Sequence, residues 1–493
     1  MVKTLLALFS TTSLMAHSQD STAQKAPEIT LNQRTVAEQV LKSGPKVLEV
    51  NLKYQQFRLE PVRALSAYDW RLLLESGYEY DYLATLLSGG GISNKVKYER
   101  LRTTVSLQKP FTTGTLLGVE FNRLSQKANN EGGGTIVPVP EQTLDSAGVI
   151  LEQAILGNFF GVADRGIVNA AELTYEANKI ARADELEEVV LEAIRQFWNA
   201  HVAQENFKEA ANSRDRYKQL VDAVRRKTSL GYSNPGDLPQ VQAEFEAREQ
   251  KVKLASTDYL KAMEDLITLL GLEPNTTIKF DVPKLVPPVP KLIEKNVQDL
   301  RVIRSQKLKA EAAQESLSAA KSLSYPSLKF IGRVYSSGVD ESSENAYSEL
   351  ISGTRPKYYA GLRLEYNFGS DIQNETIINR KLTKDLEDTR LRRQLAESED
   401  IEMQTQRKVQ AAHAIALSAE KQKNFREKAS QELNRSYNQG RTDISVLITA
   451  MNNYFDSEVQ YSRAVGDYAI ALNEWAASRD ELIPDDQPGS DKK

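Results

Sequence analysis

The chain has 493 residues, a formal net charge of -4 and no cysteine. Without cysteine there is no thiol catalysis, no disulfide, no cysteine-held metal and no lipid-modified N-terminal cysteine. A near-neutral balance with no basic block removes nucleic acid as a default partner.

The N-terminus reads Met1-Val2-Lys3, an apolar run from Thr4 to Met15, then Ala16-His17-Ser18. One positive charge, a short apolar core and a small-residue exit describe a secretory signal peptide over 1–18. Cleavage after Ser18 is expected first, after Ala23 second. The run is too short to span a bilayer, and no later stretch approaches a membrane-spanning helix. Such a chain points to the periplasm or the outer membrane.

Residues 19–30 read as a polar lead-in, and Leu31 to Leu65 as one or two helices broken at Ser43-Gly44-Pro45. From Trp70 to Tyr82 the period changes to two. Arg71, Leu73, Glu75, Gly77, Glu79 and Asp81 alternate with Trp70, Leu72, Leu74, Ser76, Tyr78, Tyr80 and Tyr82. That is a strand, polar on one face and apolar or aromatic on the other. Further strands are expected at Tyr98–Leu107, Leu116–Leu124 and Ala147–Ile155, with a tight turn at Phe111-Thr112-Thr113-Gly114-Thr115. The glycine clusters at 89–91 and 132–134 read as loops between strands.

A long helical stripe then runs from Asn158 to Leu230, with apolar residues at three- and four-residue steps such as Leu186, Val190, Ala193 and Phe197. The pattern is that of coiled-coil-like packing, and at about 1.5 Å per residue the helix approaches roughly 110 Å. Gly231-Tyr232-Ser233-Asn234-Pro235-Gly236 breaks it, and periodicity resumes from Leu238 to Leu270. Asn275 to Pro290 reads as a proline-rich link and Asn296 to Ser322 as a helix. Ser327–Ser337 and Lys357–Phe368 read as strands around a polar loop, Gly338 to Pro356. A second long helix, about Asn374 to Asn438, is interrupted at Gly440, and another follows from Ile444 to Leu482.

The same object therefore appears twice. Gly231 precedes Asp258, Tyr259 and Ala262 by 27, 28 and 31 residues, and Gly440 precedes Asp467, Tyr468 and Ala471 by the same steps. Leu238 and Leu447 match at this offset. Two internal repeats follow: 19–290 and 291–483, each a helix, barrel strands and a long helical hairpin, with a disordered tail at 484–493. The fold class is mainly α with a transmembrane β-barrel part. The strands are about ten residues long, alternate in polarity and carry aromatic ends, as in transmembrane barrels. Trp70, Tyr78, Tyr80, Tyr82, Tyr358, Tyr359, Tyr366 and Phe368 are the candidate membrane-interface aromatics.

The chain resembles the TolC family of outer-membrane factors over nearly all of its mature length. The most specific piece is Ser436-Tyr437-Asn438-Gln439-Gly440-Arg441-Thr442-Asp443-Ile444-Ser445-Val446-Leu447-Ile448-Thr449-Ala450, which looks like the family's helix-turn-helix tip. Ser324-Tyr325-Pro326-Ser327-Leu328 resembles its entry into a strand. The resemblance implies a homotrimer with one shared β-barrel in outer-membrane lipid and one shared α-helical tunnel. It also implies a periplasmic membrane-fusion adaptor and an inner-membrane transporter as partners, in the outer membrane of a Gram-negative bacterium. Physical reasoning agrees, since a few strands cannot close a barrel and open edges are not tolerated in lipid. Two features depart from the family. The first half holds four strands where two are common, so a trimer barrel would have about eighteen. After the second-half glycine, where the family often has several acidic residues, Asp443 is followed by Ser445 and Ile448.

Chemistry of the catalytic kind is not expected. The sequence holds no phosphate loop, no His-Glu-x-x-His and no hydrolase elbow. His201 and His413 lie on long helices with no His or Cys partner nearby, and His17 lies in the leader; no cofactor and no metal are expected. The expected function is an exit duct of a tripartite efflux or type I secretion system. A secreted structural coiled-coil protein without a channel is the alternative. The tips, with Gly231, Asp237, Leu238, Gly440, Arg441, Asp443, Ser445 and Leu447, are the candidate closed end. Asp237 and Asp443 also stand where helix N-caps are expected, so capping and gating both remain open there.

Overall fold

The structure is a computed structural model that describes residues 28–86, 92–130, 141–283, 286–291, 295–369 and 371–483. The expected signal peptide, the tail at 484–493 and both glycine clusters lie outside these residues.

The described elements in chain order are β1 (Glu28–Leu31), α1 (Gln33–Ser43), α2 (Pro45–Gln55), α3 (Leu59–Ser66), β2 (Arg71–Leu86), β3 (Ile92–Pro110), β4 (Thr115–Asn130) and β5 (Glu141–Leu156). The first hairpin follows, α4 (Val162–Ser229) and α5 (Asp237–Leu270). Next come β6 (Thr277–Phe280), α6 (Arg301–Leu323), β7 (Ser327–Asp340), α7 (Ser343–Ser352) and β8 (Pro356–Glu365). The second hairpin, α8 (Asp371–Asn438) and α9 (Ile444–Ala477), comes last among the described elements. Both long helices have 68 residues and both returning helices have 34. Among the described residues no helix is long and apolar enough to cross a membrane.

Three differences from the sequence reading stand out. A polar loop was expected from Gly338 to Pro356, yet α7 occupies its middle. Ser342 caps that helix through the Asn345 N–H, Gly353 ends it with φ 66°, and Ala346 and Leu350 are its buried side. Gly338 sits under α7 so closely that a Cβ there would meet the Ala346 carbonyl oxygen. Second, the expected lead-in and proline-rich link each contain a short strand: β1 and β6 pair in parallel, Leu31 beside Phe280. Third, the second hairpin's last helix ends at Ala477, short of Leu482, because Arg479 and Asp480 turn back on Ala476 and Ala477.

The chain divides into two compact units. One comprises Met1–Pro45, Ala193–Pro287 and Lys421–Gly466. In it the β1–β6 pair lies with α1 and the end of α5, and the Ser43 hydroxyl donates to the Leu270 carbonyl at 2.7 Å. Asn32 and Thr35 close a capping box that starts α1.

The other unit comprises Lys46–Glu192, Pro288–Glu420 and Asp467–Lys493. It holds a six-stranded sheet in the order β2-β3-β4-β5-β7-β8, antiparallel throughout. The β3–β4 turn is closed by the Phe111 N–H donating to Thr115 and the Gly114 N–H donating to Phe111, with Gly114 at φ 68°. Since side chains alternate, the register sorts the strands into two faces. One carries Leu72, Leu74, Val105, Leu107, Leu117, Val119, Val149, Leu151, Phe330, Leu362 and Leu364 in adjoining rows. The other carries Arg71, Glu75, Glu79, Arg102, Glu120, Glu152, Arg333, Lys357 and Arg363. An apolar face that leaves Leu72 and Leu74 about 70% exposed is not a soluble sandwich core. Within this chain β2 and β8 are the two edges of the sheet.

The same unit contains a buried lock. Arg301, at the start of α6, is 1% exposed and donates to Glu187 of α4 at 2.7 Å. It also donates to the Ile483 carbonyl, while its own N–H donates to Asp480 at 2.7 Å. The Leu482 N–H meets the other oxygen of Glu187 at 2.7 Å. One guanidinium thus ties α4, α6 and the segment after α9. A buried pair so fully bonded is costly to break from one side, since the remaining charge is stranded.

Candidate functional site: the paired hairpin tips

The two hairpin ends lie in the first unit and are built alike. After α4 the Gly231 N–H donates to Thr228 and the Tyr232 N–H to Lys227 at 2.9 Å. After α8 the Gly440 N–H donates to Tyr437 and the Arg441 N–H to Ser436 at 2.9 Å. Both are Schellman-type ends, and both glycines have φ 73°. A Cβ on either would meet nothing within 4 Å. Backbone hand, not crowding, is what requires glycine there.

The two turns differ in their acids. Asp443 precedes α9 and accepts from the Ser445 N–H at 2.8 Å and from the Ser445 hydroxyl, which makes it an N-cap. Those bonds hold its carboxyl below the usual range. Asp237 is the first residue of α5, and it accepts instead from the Ser233 hydroxyl at 2.9 Å and the Asn234 N–H at 3.0 Å. It braces the turn behind it. Arg441 makes no ion pair among the described residues, and neither Asp237 nor Asp443 meets it there.

Between the tips is an apolar cluster. Tyr217, Leu220, Val221 and Val224 of α4 and Val241 of α5 pack with Tyr437, Ile444, Leu447 and Ile448 of the second hairpin, with Leu238, Phe245, Leu433 and Met451 around them. Leu447 is fully buried and Leu238 partly so. These residues recur three and four apart on their helices, so each hairpin turns one stripe to the other. Polar contacts fix the pairing. The Lys227 ammonium donates to the Tyr437 carbonyl at 2.9 Å and lies 3.8 Å from its ring centre. Tyr217 and Arg248 both donate to Oδ1 of Asn452, each at 2.5 Å. Arg248, 5% exposed, stacks between the rings of Tyr217 and Phe455, 5.3 Å from each. Further along, Arg216 donates to Glu458 at 2.8 Å, and burial raises that carboxyl.

Leu238 and Leu447 stand out in the sequence, whereas Arg248 and Asn452 do not. An arginine inside a helical stripe looks like a solvated face, and only the neighbouring hairpin shows that it is buried.

At the sheet, the interface aromatics are exposed, from Tyr82 at 44% to Phe368 at 89%. Tyr78, Tyr80, Tyr82 and Tyr358 share the apolar face, whereas Tyr359 lies on the polar face over Arg333, 5.9 Å away. Trp70 precedes β2 and Tyr366 and Phe368 follow β8, so these three stand at the end from which the helices leave. Tyr78 is eight residues further along, about 26 Å of strand. Two aromatic levels at that spacing suit the two girdles of a barrel. Among the described residues no group of three His, Asp or Glu could hold a metal ion.

The sequence matches no family model, and no curated protein matches it. Solved structures do match. The outer-membrane channel OprN superposes with a TM-score of 0.67 at 14% identity, over 91% of this chain and 90% of that one. The CmeC outer membrane channel of Campylobacter jejuni gives 0.66 at 13% identity, over 92% and 86%. The open state of the MtrE outer membrane channel of Neisseria gonorrhoeae gives 0.64 at 14%, over 91% and 89%. The chain shares their fold over about nine-tenths of its length.

Proposed function

We propose that this chain, which has the fold of the outer-membrane channels, is itself an outer-membrane channel-tunnel of a Gram-negative bacterium. Three copies form the exit duct through which solutes pass from an inner-membrane transporter and its periplasmic adaptor to the exterior. The observation that carries this is the sheet. It is apolar on one face and charged on the other, and its last strands run directly into helices of 68 residues. A secreted coiled-coil protein has no use for a bare apolar face of that size. The equal hairpins, 68 and 34 residues each, support two internal repeats. Three copies of a six-stranded sheet make eighteen strands, the number at which barrels enclose an aqueous channel. The tips, held apolar on one side and charged at Arg441 and Asp443, are the closed end.

The test is extraction from the outer-membrane fraction followed by mass determination in detergent and planar-bilayer recording. A trimer that conducts supports the reading. A water-soluble monomer with its helices intact removes it.

A further inference from the structure

The two bare edges of the sheet differ in charge. On the polar face β2 carries Glu75, Glu79 and Asp81, and the neighbouring strand offers them two cations, Arg100, 3.2 Å from Glu79 and 3.6 Å from Asp81, and Arg102, opposite Gly77. The acidic edge is a cation short. At the other edge, Lys357 of β8 makes no ion pair among the described residues, nor does Glu365, nor Arg71 at the start of β2. Arg363 already meets Glu152 at 4.0 Å.

We propose that β8 of one copy pairs antiparallel with β2 of the next, in the register that sets Arg71 opposite Glu365 and Glu79 opposite Lys357. This deepens the trimeric-channel reading and rests on it. Three features favour this register. Both cross-edge pairs join opposite charges that lack a partner, or share one, within the chain, and such directly opposed pairs stabilise a ladder. Counting along the strands, the same register sets Leu72 opposite Leu364 and Leu74 opposite Leu362 on the apolar face, closing the band without a gap. Tyr78 then meets Tyr358. The strand ends are also flush, since β2 begins at Arg71 and β8 ends at Glu365.

The geometry of closure agrees. Followed straight across the sheet, Arg71 leads through Gln108, Gly118, Ile150 and Arg333 to Tyr359. Glu365 lies six residues beyond Tyr359, so each six-stranded copy advances one residue per strand. With about 3.3 Å per residue and about 4.8 Å between strands, that stagger tilts the strands by roughly 35°, inside the range of closed barrels. A slip of two residues would set Glu75 against Arg363 and Asp81 against Lys357, but it would carry Arg71 past the end of β8 and leave Glu365 facing Leu73. A slip the other way would oppose Arg71 to Arg363.

The absence of native cysteine makes the test clean. Full-length protein carrying Glu79→Cys with Lys357→Cys is treated in membranes with a short thiol-to-thiol crosslinker and run on a denaturing gel. Linked two- and three-chain bands are expected, at least fivefold stronger than for the slipped pairs Asp81→Cys with Lys357→Cys or Gly77→Cys with Lys357→Cys. As a check free of cysteine, Lys357→Glu should lower the heat resistance of the trimer, and adding Glu79→Lys should restore it. Stronger linking in a slipped pair overturns the register. So does failure of every pair in a trimer that conducts, with the channel reading intact. A soluble monomer overturns the channel reading and the register with it.

Discussion

The ammonium of Lys227, two residues from the end of the first long helix, sits 3.8 Å from the ring centre of Tyr437 and bonds its carbonyl at 2.9 Å. One cation thereby serves the electron-rich face of a ring and the last turn of the second long helix, where the helix dipole is negative. Lys227→Met keeps the stem and removes both. We predict a loss of about 1–2 kcal/mol in local stability of the paired tips. Hydrogen exchange at residues 433–440 reads it, with the sheet amides unchanged as the control. Equal exchange in both proteins would reduce the contact to decoration.

Gly231 and Gly440 share φ 73° and open surroundings. Replacement by alanine therefore costs backbone strain and nothing else, about 1–2 kcal/mol at each tip. Asparagine, which tolerates the left-handed region, should cost less than alanine at the same position. Urea midpoints for the alanine and asparagine variants check the order; alanine no worse than asparagine would show that the turn relaxes out of this conformation.

Asp184 is pushed up to about 6, first by burial and then by the charge of Asp480, with Glu188 and Glu185 adding and Arg301 opposing. A carboxyl whose folded value is raised binds its proton more tightly in the native state. Its contribution to stability is full below the unfolded value and is lost as pH rises through about 6. Between pH 5 and pH 7.5 the urea midpoint should fall by an amount worth about 2 kcal/mol or less. Asp184→Asn should make the midpoint fall less, with Glu187, raised to about 7 first by burial, keeping part of the slope. A midpoint rising across this window in the parent protein would contradict the assignment.

How far the sequence carried the fold depended on whether the signal was local. The strands from Arg71 to Leu156 announced themselves by period two, because one face is apolar and the other charged. The hairpin ends announced themselves by glycine after a long stripe. By contrast β1 and β6 are four residues each and pair across some 250 positions, so neither has a local pattern. Helix α7 is ten residues and buries only Ala346 and Leu350, too little stripe to stand out from a polar loop. At the tips, Asp237 and Asp443 look equivalent as letters before a helix. They separate only in space, because Ser445 lies ahead of one and Ser233 behind the other.

Arg441 and Asp443 are the candidates for a gate at the closed end. Arg441 has no ion-pair partner among the described residues, and Asp443 caps α9 through one oxygen, leaving the other for a neighbouring copy. If these charges hold the closed end across copies, each pair is worth only about 0–1 kcal/mol, as exposed pairs are. Arg441→Ala with Asp443→Ala should then raise open time or conductance severalfold in planar bilayers, since about 1.4 kcal/mol is tenfold. Trimer assembly should not change, because the Tyr217–Leu447 cluster is untouched. Unaltered conductance in an assembled variant would leave Asp443 as a cap alone.

The β3–β4 hairpin sets the topology of the barrel. Its turn at Thr112, Thr113 and Gly114 is packed at the end from which the helices leave: a Cβ at Gly161, just before α4, would meet the Thr112 carbonyl oxygen and the Thr113 backbone. Helix α7 follows β7 at the opposite end, packed on β7 and β5, with the Glu344 side chain exposed. The helices must lie in the periplasm if an adaptor and transporter are to reach them. The Thr113 turn then lies on the periplasmic side and α7 on the exterior. In whole cells, Thr113→Cys should resist a membrane-impermeant thiol reagent, whereas Glu344→Cys should react. With no native cysteine, every labelled thiol reports its own position. Once the outer membrane is permeabilised, Thr113→Cys should become reactive, which separates protection by topology from protection by packing. Labelling of both positions in intact cells, or of Thr113→Cys alone, would invert or abolish the strand order from Arg71 to Glu365 and, with it, the placement of the hairpin tips in the periplasm.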